Sequence, residues 1–507
     1  KYSNFGKQNF RLDYDGTPSL SLNGESTFNF KVKRYADLLM DCYISINLPN
    51  IWSPVMPPQA VPQADGSTIY TNWAPYDFQW IENLGAQIIS RITITCGNQK
   101  LQQYSGQYIL NSARRDFSKT KLELFNEMIG NVPEINDPAN AGARVNAYPN
   151  AFYTTSPAGA EPSIMGRTLY IPLGAWFNLV TEQAFPLVAL QYNELQISVS
   201  FRPVSEWFTI RDVMDYTNNF PVIAPNFNQF YQQLYRFLQT PPDEELGPTS
   251  YVDTRTNWNA DIHLNCTYCF LSNDEAEIFA KNEQKYLIKQ VYEKPYYNVT
   301  GQNKIDIDSI GMVISWMFYF QRSDAYLRNE WGNYTNWPYK YKPDGLIPAP
   351  TTVPITWVPP YPCNPAYPNQ LGPGKNALLG TNTGYFITPP FSVQNQKDIL
   401  LNLGILLDGK YRENLLDAGI YNYLEKYTSS RGSAPDGLYC YNFCLNTEPS
   451  DFQPSGAINA SKFSTIELEF TTFYPPLDPE AQFLTICDPE TQVPGGVNKP
   501  TWRIYDY

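Results

Sequence analysis

Few side chains in this sequence have both the type and the spacing that catalysis or metal binding needs. The chain holds one histidine, His263, and it alternates with the apolar positions Ile262, Leu264 and Cys266, which puts it on the solvent or interface side of a strand. With no second ligand at workable spacing, it argues against both a zinc site and a histidine-based nuclease or hydrolase. Cys266 and Cys269 form a Cys-x-x-Cys, and Cys440 and Cys444 a Cys-x-x-x-Cys. Both lie in strand-like stretches, where positions three apart face opposite ways and positions four apart are about 13 Å from each other. Zinc there would need turns in place of the strands. Asp306 with Asp308, and Glu467 with Glu469, set paired carboxylates on one strand face, as a glycosidase does, but a solvated or salt-bridged face has the same pattern. Gly301, Gly372, Gly374 and Gly495-Gly496 match neither a P-loop nor a dinucleotide fingerprint. The residues therefore point to a protein that is not an enzyme, with no catalytic residue, no metal and no cofactor.

Asn-x-Ser/Thr occurs at Asn265, Asn298, Asn333 and Asn459. Asn265 falls in a strand, which leaves Asn298, Asn333 and Asn459 as candidate glycosylation acceptors. The amino end, residues 1 to 11, is polar and lacks the apolar core of a signal peptide, so passage through the secretory lumen is not expected. The longest apolar run, Met312 to Phe320, is too short for a transmembrane helix.

The elements that would position these groups follow from composition and period. A chain of 507 residues exceeds what one core organises, so two large domains are expected. Charged residues make up 17% and aromatics 15%, with 43 Pro and 29 Gly, which describes packed strands joined by long ordered loops. The net charge of −13 disfavours phosphate-backbone binding, so no direct nucleic-acid partner is expected. Arg114, Arg115, Lys119 and Lys121 form a local basic cluster, expected to be solvated or an intersubunit contact. Eight cysteines scattered between positions 42 and 487 are too few for a disulfide framework and suit a reducing compartment of assembly.

Alternation over Phe28–Val32, Met40–Leu48, Ile88–Cys96, Leu169–Leu173 and Leu195–Phe201 predicts strands, with a bulge near Asn193 and Glu194 joining the last to an earlier run at Val188, Leu190 and Tyr192. Ile262–Phe270, Ile305–Ile307, Met312–Phe320, Leu438–Leu445 and Lys462–Phe473 repeat the pattern, and the apolar residues on both parities of Met312–Phe320 predict a strand covered on both faces. Lys119–Ile129 and Asp274–Leu287 read as helices, and Leu407, Tyr411, Leu415 and Ala418 as a helical face continuing to Tyr427. The stretches 49–75, 131–167 and 329–390 lose all period and read as long loops. The expected fold class is all-β: two tandem eight-stranded jelly rolls with short helices inserted in long loops. The first spans 1–225 and the second 251–475, with a junction at 226–250 and an arm-like tail at 476–507.

Two segments carry a further resemblance. Ile171-Pro-Leu-Gly-Ala-Trp-Phe177 followed by Phe185-Pro-Leu-Val-Ala-Leu-Gln-Tyr-Asn-Glu-Leu195, and Leu445-Asn-Thr-Glu-Pro449 leading into Gln453-Pro-Ser-Gly456, resemble the major capsid protein family of nucleocytoplasmic large DNA viruses. Weaker echoes are Tyr35–Tyr43 with Leu48-Pro49, and Phe270–Ala280 with Tyr286-Leu-Ile288. The resemblance implies a double jelly-roll subunit that forms homotrimers, pseudo-hexagonal because three chains supply six jelly rolls, and these capsomers tile an icosahedral shell over an internal membrane. It matches the loops at 131–167 and 329–390 to an outward tower. Family versions of the 185–195 segment often have His where this chain has Asn193, which argues against a histidine-based pH switch in assembly.

The function expected is that of a major capsid structural protein in the virion of a large double-stranded DNA virus, assembled in the host cytoplasm. Its partners would be copies of itself, neighbouring capsomers, penton proteins, minor capsid or cement proteins, internal membrane proteins and attached glycans. Trp52, Trp73, Trp176, Trp337 and Trp357 are the expected interface anchors, because permanent interfaces are rich in large aromatics; each could instead fill the core of its own loop. The rival readings are a carbohydrate-binding or glycan-processing jelly roll, and a minor spike or receptor-binding protein.

Overall fold

The computed structural model describes residues 4–71, 73–145, 147–149, 161–190, 192–216, 220–242, 247–340, 347–348, 386–387, 396–451, 453–477, 483–484, 499–500 and 503–507. In the first half the alternating stretches become β1 (Gly6–Leu12), β2 (Ser26–Lys31), β3 (Leu38–Asn47), β4 (Ile89–Cys96), β5 (Gln99–Tyr104), β6 (Thr168–Pro172), β7 (Leu195–Phe201) and β8 (His263–Phe270). Two helices, α1 (Gly106–Asp116) and α2 (Lys119–Met128), follow β5. One sheet runs β1-β8-β3-β6 and the other β5-β4-β7-β2, all neighbours antiparallel. Their inner faces bury Cys42, Ile44, Ile46, Leu169, Ile171, Leu264, Cys266 and Tyr268 against Phe28, Phe30, Ile92, Ile94, Ile197 and Val199, a single core of two packed sheets.

The position of β8 changes the expected domain limits. It lies between β1 and β3, with Cys266 opposite Cys42 and Phe10 opposite Cys266. The strand expected to open the second unit thus completes the first. Described residues of the expected junction 226–250 pack on the first core: Leu234 and Phe237 belong to it, and the fully buried Arg236 donates to the carbonyls of Phe230 and Gly247. An arginine enclosed by carbonyls and rings reads as a polar loop residue in sequence, because nothing local reveals its burial.

The second half contributes α3 (Asn273–Lys281), β9 (Gln302–Asp306), β10 (Ser315–Tyr319), β11 (Leu400–Leu407), β12 (Lys410–Asp417), α4 (Glu425–Ser429), β13 (Leu438–Asn442) and β14 (Ile466–Thr472). A four-stranded sheet runs β9-β14-β11-β12 and faces the β10-β13 pair. Leu403, Ile405, Leu468 and Phe470 pack against Phe320, Tyr421, Tyr439 and Tyr441 in a second core. The fold is a double jelly roll, with helices confined to loops.

Other expectations are corrected. Met312–Phe320 is not one doubly covered strand: it breaks at Ile314 into two short pieces, with Met312 65% exposed. The apparent helical face from Leu407 to Ala418 is the hairpin β11–β12, turned by Asp408 (φ 50°) and Gly409 (φ 73°), both left-handed. Asp-Gly is the turn that suits the strand twist, and its signal outweighs the accidental helical spacing. Among the described residues, 187–189 form a 3-10 turn and β7 begins at Leu195, so the expected bulge at Asn193 and Glu194 does not join two strand runs. The helix expected to reach Leu287 stops at Lys281. The end of the tail is no free arm, since Tyr505 and Tyr507 are buried in the second core.

Candidate functional site

The sequence-nominated chemical groups do not converge. His263 Nδ1 lies 2.7 Å from the carbonyl oxygen of Asp261. Glu467 pairs with Lys304 at 2.9 Å, Glu469 accepts from the Tyr411 hydroxyl at 2.7 Å, and Asp308 pairs with Lys294, so three of the four nominated carboxylates are each held by a different partner. Cys269, Cys440 and Cys444 are buried thiols. Among the described residues no group of three or more His, Cys, Asp or Glu side chains could hold a metal ion.

Sequence reasoning missed a polar seam, buried along most of its length, that joins the two sandwiches. Its spine is α1, whose start is fixed by Ser105: the hydroxyl oxygen accepts from the Tyr108 amide at 3.2 Å. Gly106 must be glycine, because a Cβ there would stand 1.8 Å from the Ala86 carbonyl oxygen. From the second half, the Glu293 carboxylate accepts from the Ser105 amide and hydroxyl. Tyr334 meets Gln107, donates to Asn111 Oδ1 at 3.0 Å and stacks on Tyr319 with ring centroids 4.3 Å apart.

At the other end of α1, Arg115 and Asp116 form a doubly hydrogen-bonded pair at 2.9 and 2.8 Å. Arg115 also donates to Ser315 Oγ at 3.0 Å, and Asp116 accepts from the Thr447 hydroxyl at 2.6 Å, both partners being in the second sandwich. The Gly432 amide donates to the Arg115 carbonyl at 2.7 Å, an approach that a Cβ on Gly432 would block. Burial opposes the Arg115 charge, but Asp116 outweighs it and holds the guanidinium above its ordinary pKa. The basic cluster seen in sequence is thus divided: Arg115 is a seam residue, while Lys119 and Lys121 are exposed.

A second part of the seam uses residues 321–340. Asn329 Nδ2 donates to the carbonyls of Ser205 and Phe208, both at 2.8 Å, and Arg202 lies 4.5 Å over the Trp331 ring. Lys340 pairs with Glu82 at 2.9 Å. Burial, helped by Glu82, pushes the Glu330 carboxyl up to about 7 despite Arg328 and Lys340. This arrangement fixes the two sandwiches as one block.

The nominated surface residues separate by burial. Trp73 is 56% exposed, and Trp52 and Trp337 are half-buried. Trp176 is buried in its own core, edge-on to Phe177 and Phe185, which is the alternative place the sequence left open for each of these tryptophans. Trp357 lies outside the described residues, as does most of 341–395. Asn298 is exposed and Asn459 half-buried, whereas Asn333 is 3% exposed. Asn333 Oδ1 accepts from the Thr335 amide and hydroxyl at 3.0 and 2.7 Å, so this sequon is an internal turn and not an open acceptor.

Two family models match the chain: the major capsid protein N-terminus over residues 1–233, and the large eukaryotic DNA virus major capsid protein over residues 275–476. The chain is 24% identical over 311 residues to a major capsid protein of Chrysochromulina ericina virus, covering 57% of this chain and 47% of that protein. It is also 24% identical over 279 residues to one of Phaeocystis pouchetii virus, covering 54% and 44%. The matched stretch therefore spans less than half of those relatives' length. Among solved structures, the Faustovirus major capsid protein superposes with a TM-score of 0.58 at 13% identity, covering 93% of this chain and 87% of that one. The PBCV-1 virus capsid model gives 0.54 at 16% identity, covering 94% and 86%.

Proposed function

The chain belongs to the family of large eukaryotic DNA virus major capsid proteins, and from that premise we propose that it is the shell-building subunit of a large double-stranded DNA virus. The observation that carries this reading is the seam: two sandwiches of like design are fastened by polar contacts, most of them buried, into one block. In the proposed trimer, three such blocks present six sandwiches around one axis. Homotrimers of this kind are pseudo-hexagonal and tile an icosahedral face. The role is geometric and structural, with no reaction to perform. Trp73, Trp52 and Trp337 are the anchors between copies, since partly exposed tryptophans supply much of the energy of such interfaces. Neighbouring capsomers, penton and cement proteins, and proteins of an internal membrane complete the set of partners. Asn298 and Asn459 are the acceptors if glycans are attached. Assembly takes place in the host cytoplasm and the product is the virion capsid.

The experiment is to quantify this protein in purified particles by mass spectrometry and to image those particles. Its being the most abundant coat protein, with hexagonally packed capsomers that fit this fold, is the expected result. A few copies per particle, confined to spikes or vertices, would transfer it to the minor-protein reading.

A further inference from the structure

Six thiols lie among the described residues, and two of them meet. Cys42 in the middle of β3 and Cys266 in β8 are 224 residues apart in sequence, yet they stand directly opposite each other in antiparallel register with their Sγ atoms 3.1 Å apart. Both are 1% exposed. The other four, Cys96, Cys269, Cys440 and Cys444, have no sulfur partner among the described residues. Directly opposed antiparallel residues have Cα atoms about 4.5–5.5 Å apart, inside the window of about 4.4–6.8 Å that a disulfide spans. The register of β8 against β3 shifts just beyond Cys266, between Cys266 and Tyr268, so the strand has local slack where a side-chain rotation would bring the sulfurs to bonding distance.

We propose that Cys42 and Cys266 are a modification site: a latent cross-strand disulfide that a disulfide-class oxidant closes when the protein meets oxidising surroundings. In exchange, one cysteine thiolate attacks the oxidant's sulfur–sulfur bond, forming a mixed disulfide and expelling one thiolate. The second cysteine then attacks the protein sulfur of that mixed disulfide, forming the Cys42–Cys266 bond and expelling the other thiolate. The two protein thiols give up two protons and two electrons, and the oxidant is reduced to two thiols. Burial, with Cys266 beside it, holds the Cys42 thiol well above its ordinary range, so the reaction proceeds through local opening of β8 from β3 and is slow in the closed sheet. Under reducing conditions the pair packs as two small apolar groups. Once oxidised it ties the central strand of the first sandwich to the one strand that the chain supplies after its long excursion through residues 202–262, and it thereby constrains a long loop of the unfolded chain.

The test incubates the purified full chain with oxidised glutathione, with and without mild urea to allow strand opening, then blocks free thiols and maps peptides without reduction. The expected product is a peptide pair joined through Cys42 and Cys266, an intact mass lower by two hydrogens, and an unfolding temperature about 5 °C above that of the dithiothreitol-treated protein. Cys42→Ala and Cys266→Ala, each a small loss of packing, should keep native far-ultraviolet dichroism and lose the oxidation-dependent shift. Recovery of both cysteines as blocked thiols after opening in urea, a persistent glutathione adduct on either, or a crosslink from Cys42 to another cysteine would overturn the proposal.

Discussion

Glu330 and Arg115 are the side chains whose environments make the sharpest claims. The Glu330 carboxyl, raised from an ordinary 4.5 to about 7, stays protonated in the folded seam where the unfolded chain has already ionised. Between about pH 4.5 and 7 the unfolded state binds fewer protons, so stability falls as pH rises, by at most about 1.4 kcal/mol per pH unit, and is flat above. Glu330→Gln should remove that slope and leave the variant more stable than the parent at pH 8, as read from urea midpoints across the range. An unchanged slope would show that the carboxyl is not held neutral. Arg115→Met leaves Asp116 buried with only the Thr447 hydroxyl, and an uncompensated buried carboxylate costs about 3–5 kcal/mol; chemical denaturation would measure the loss. Burial decides both cases, and burial is what sequence conveys least. Asn333-Tyr-Thr335 shows why: an acceptor sequon and an internal Asx turn need the same residue types, and only the fold tells them apart. Trp176 likewise has the composition of an interface anchor and the position of a core residue.

Strands with one buried face were readable because alternation records the core directly. Phe28 and Phe30 in β2, Ile92 and Ile94 in β4, and Leu195, Ile197, Val199 and Phe201 in β7 are buried as their period predicts. Where two periods compete the signal fails: Leu407 to Ala418 imitates a helix although Asp408-Gly409 marks a hairpin. Partnership is harder still, since nothing in the pattern of β8 says that it inserts between β1 and β3. That placement has a direct consequence. A chain ended at 250 lacks the strand that both β1 and β3 need, leaving two open edges and an unfilled core, and should be insoluble or partly unfolded. One ended at 272 restores β8 and should show a cooperative thermal transition. Equal behaviour of the two in solubility and calorimetry would mean that β8 is dispensable to the first sandwich.

The two sandwiches were legible from composition and repeated alternation, and the family resemblance from a few segments near 171–195 and 445–456. The seam between them was not. Its parts, Ser105, Gln107, Asn111, Arg115 and Asp116 against Glu293, Ser315, Tyr334, Gly432 and Thr447, are polar residues that any surface helix or loop could carry. Their contacts, buried at Gln107, Asn111, Arg115, Asp116, Tyr334 and Thr447, make one block of two domains, and a rigid block is what a repeating shell requires of its unit. Native mass spectrometry of the purified full chain at micromolar concentration and near-neutral pH tests this most directly. The account predicts a dominant species of three chain masses that persists on dilution; a single chain mass at every concentration would contradict it.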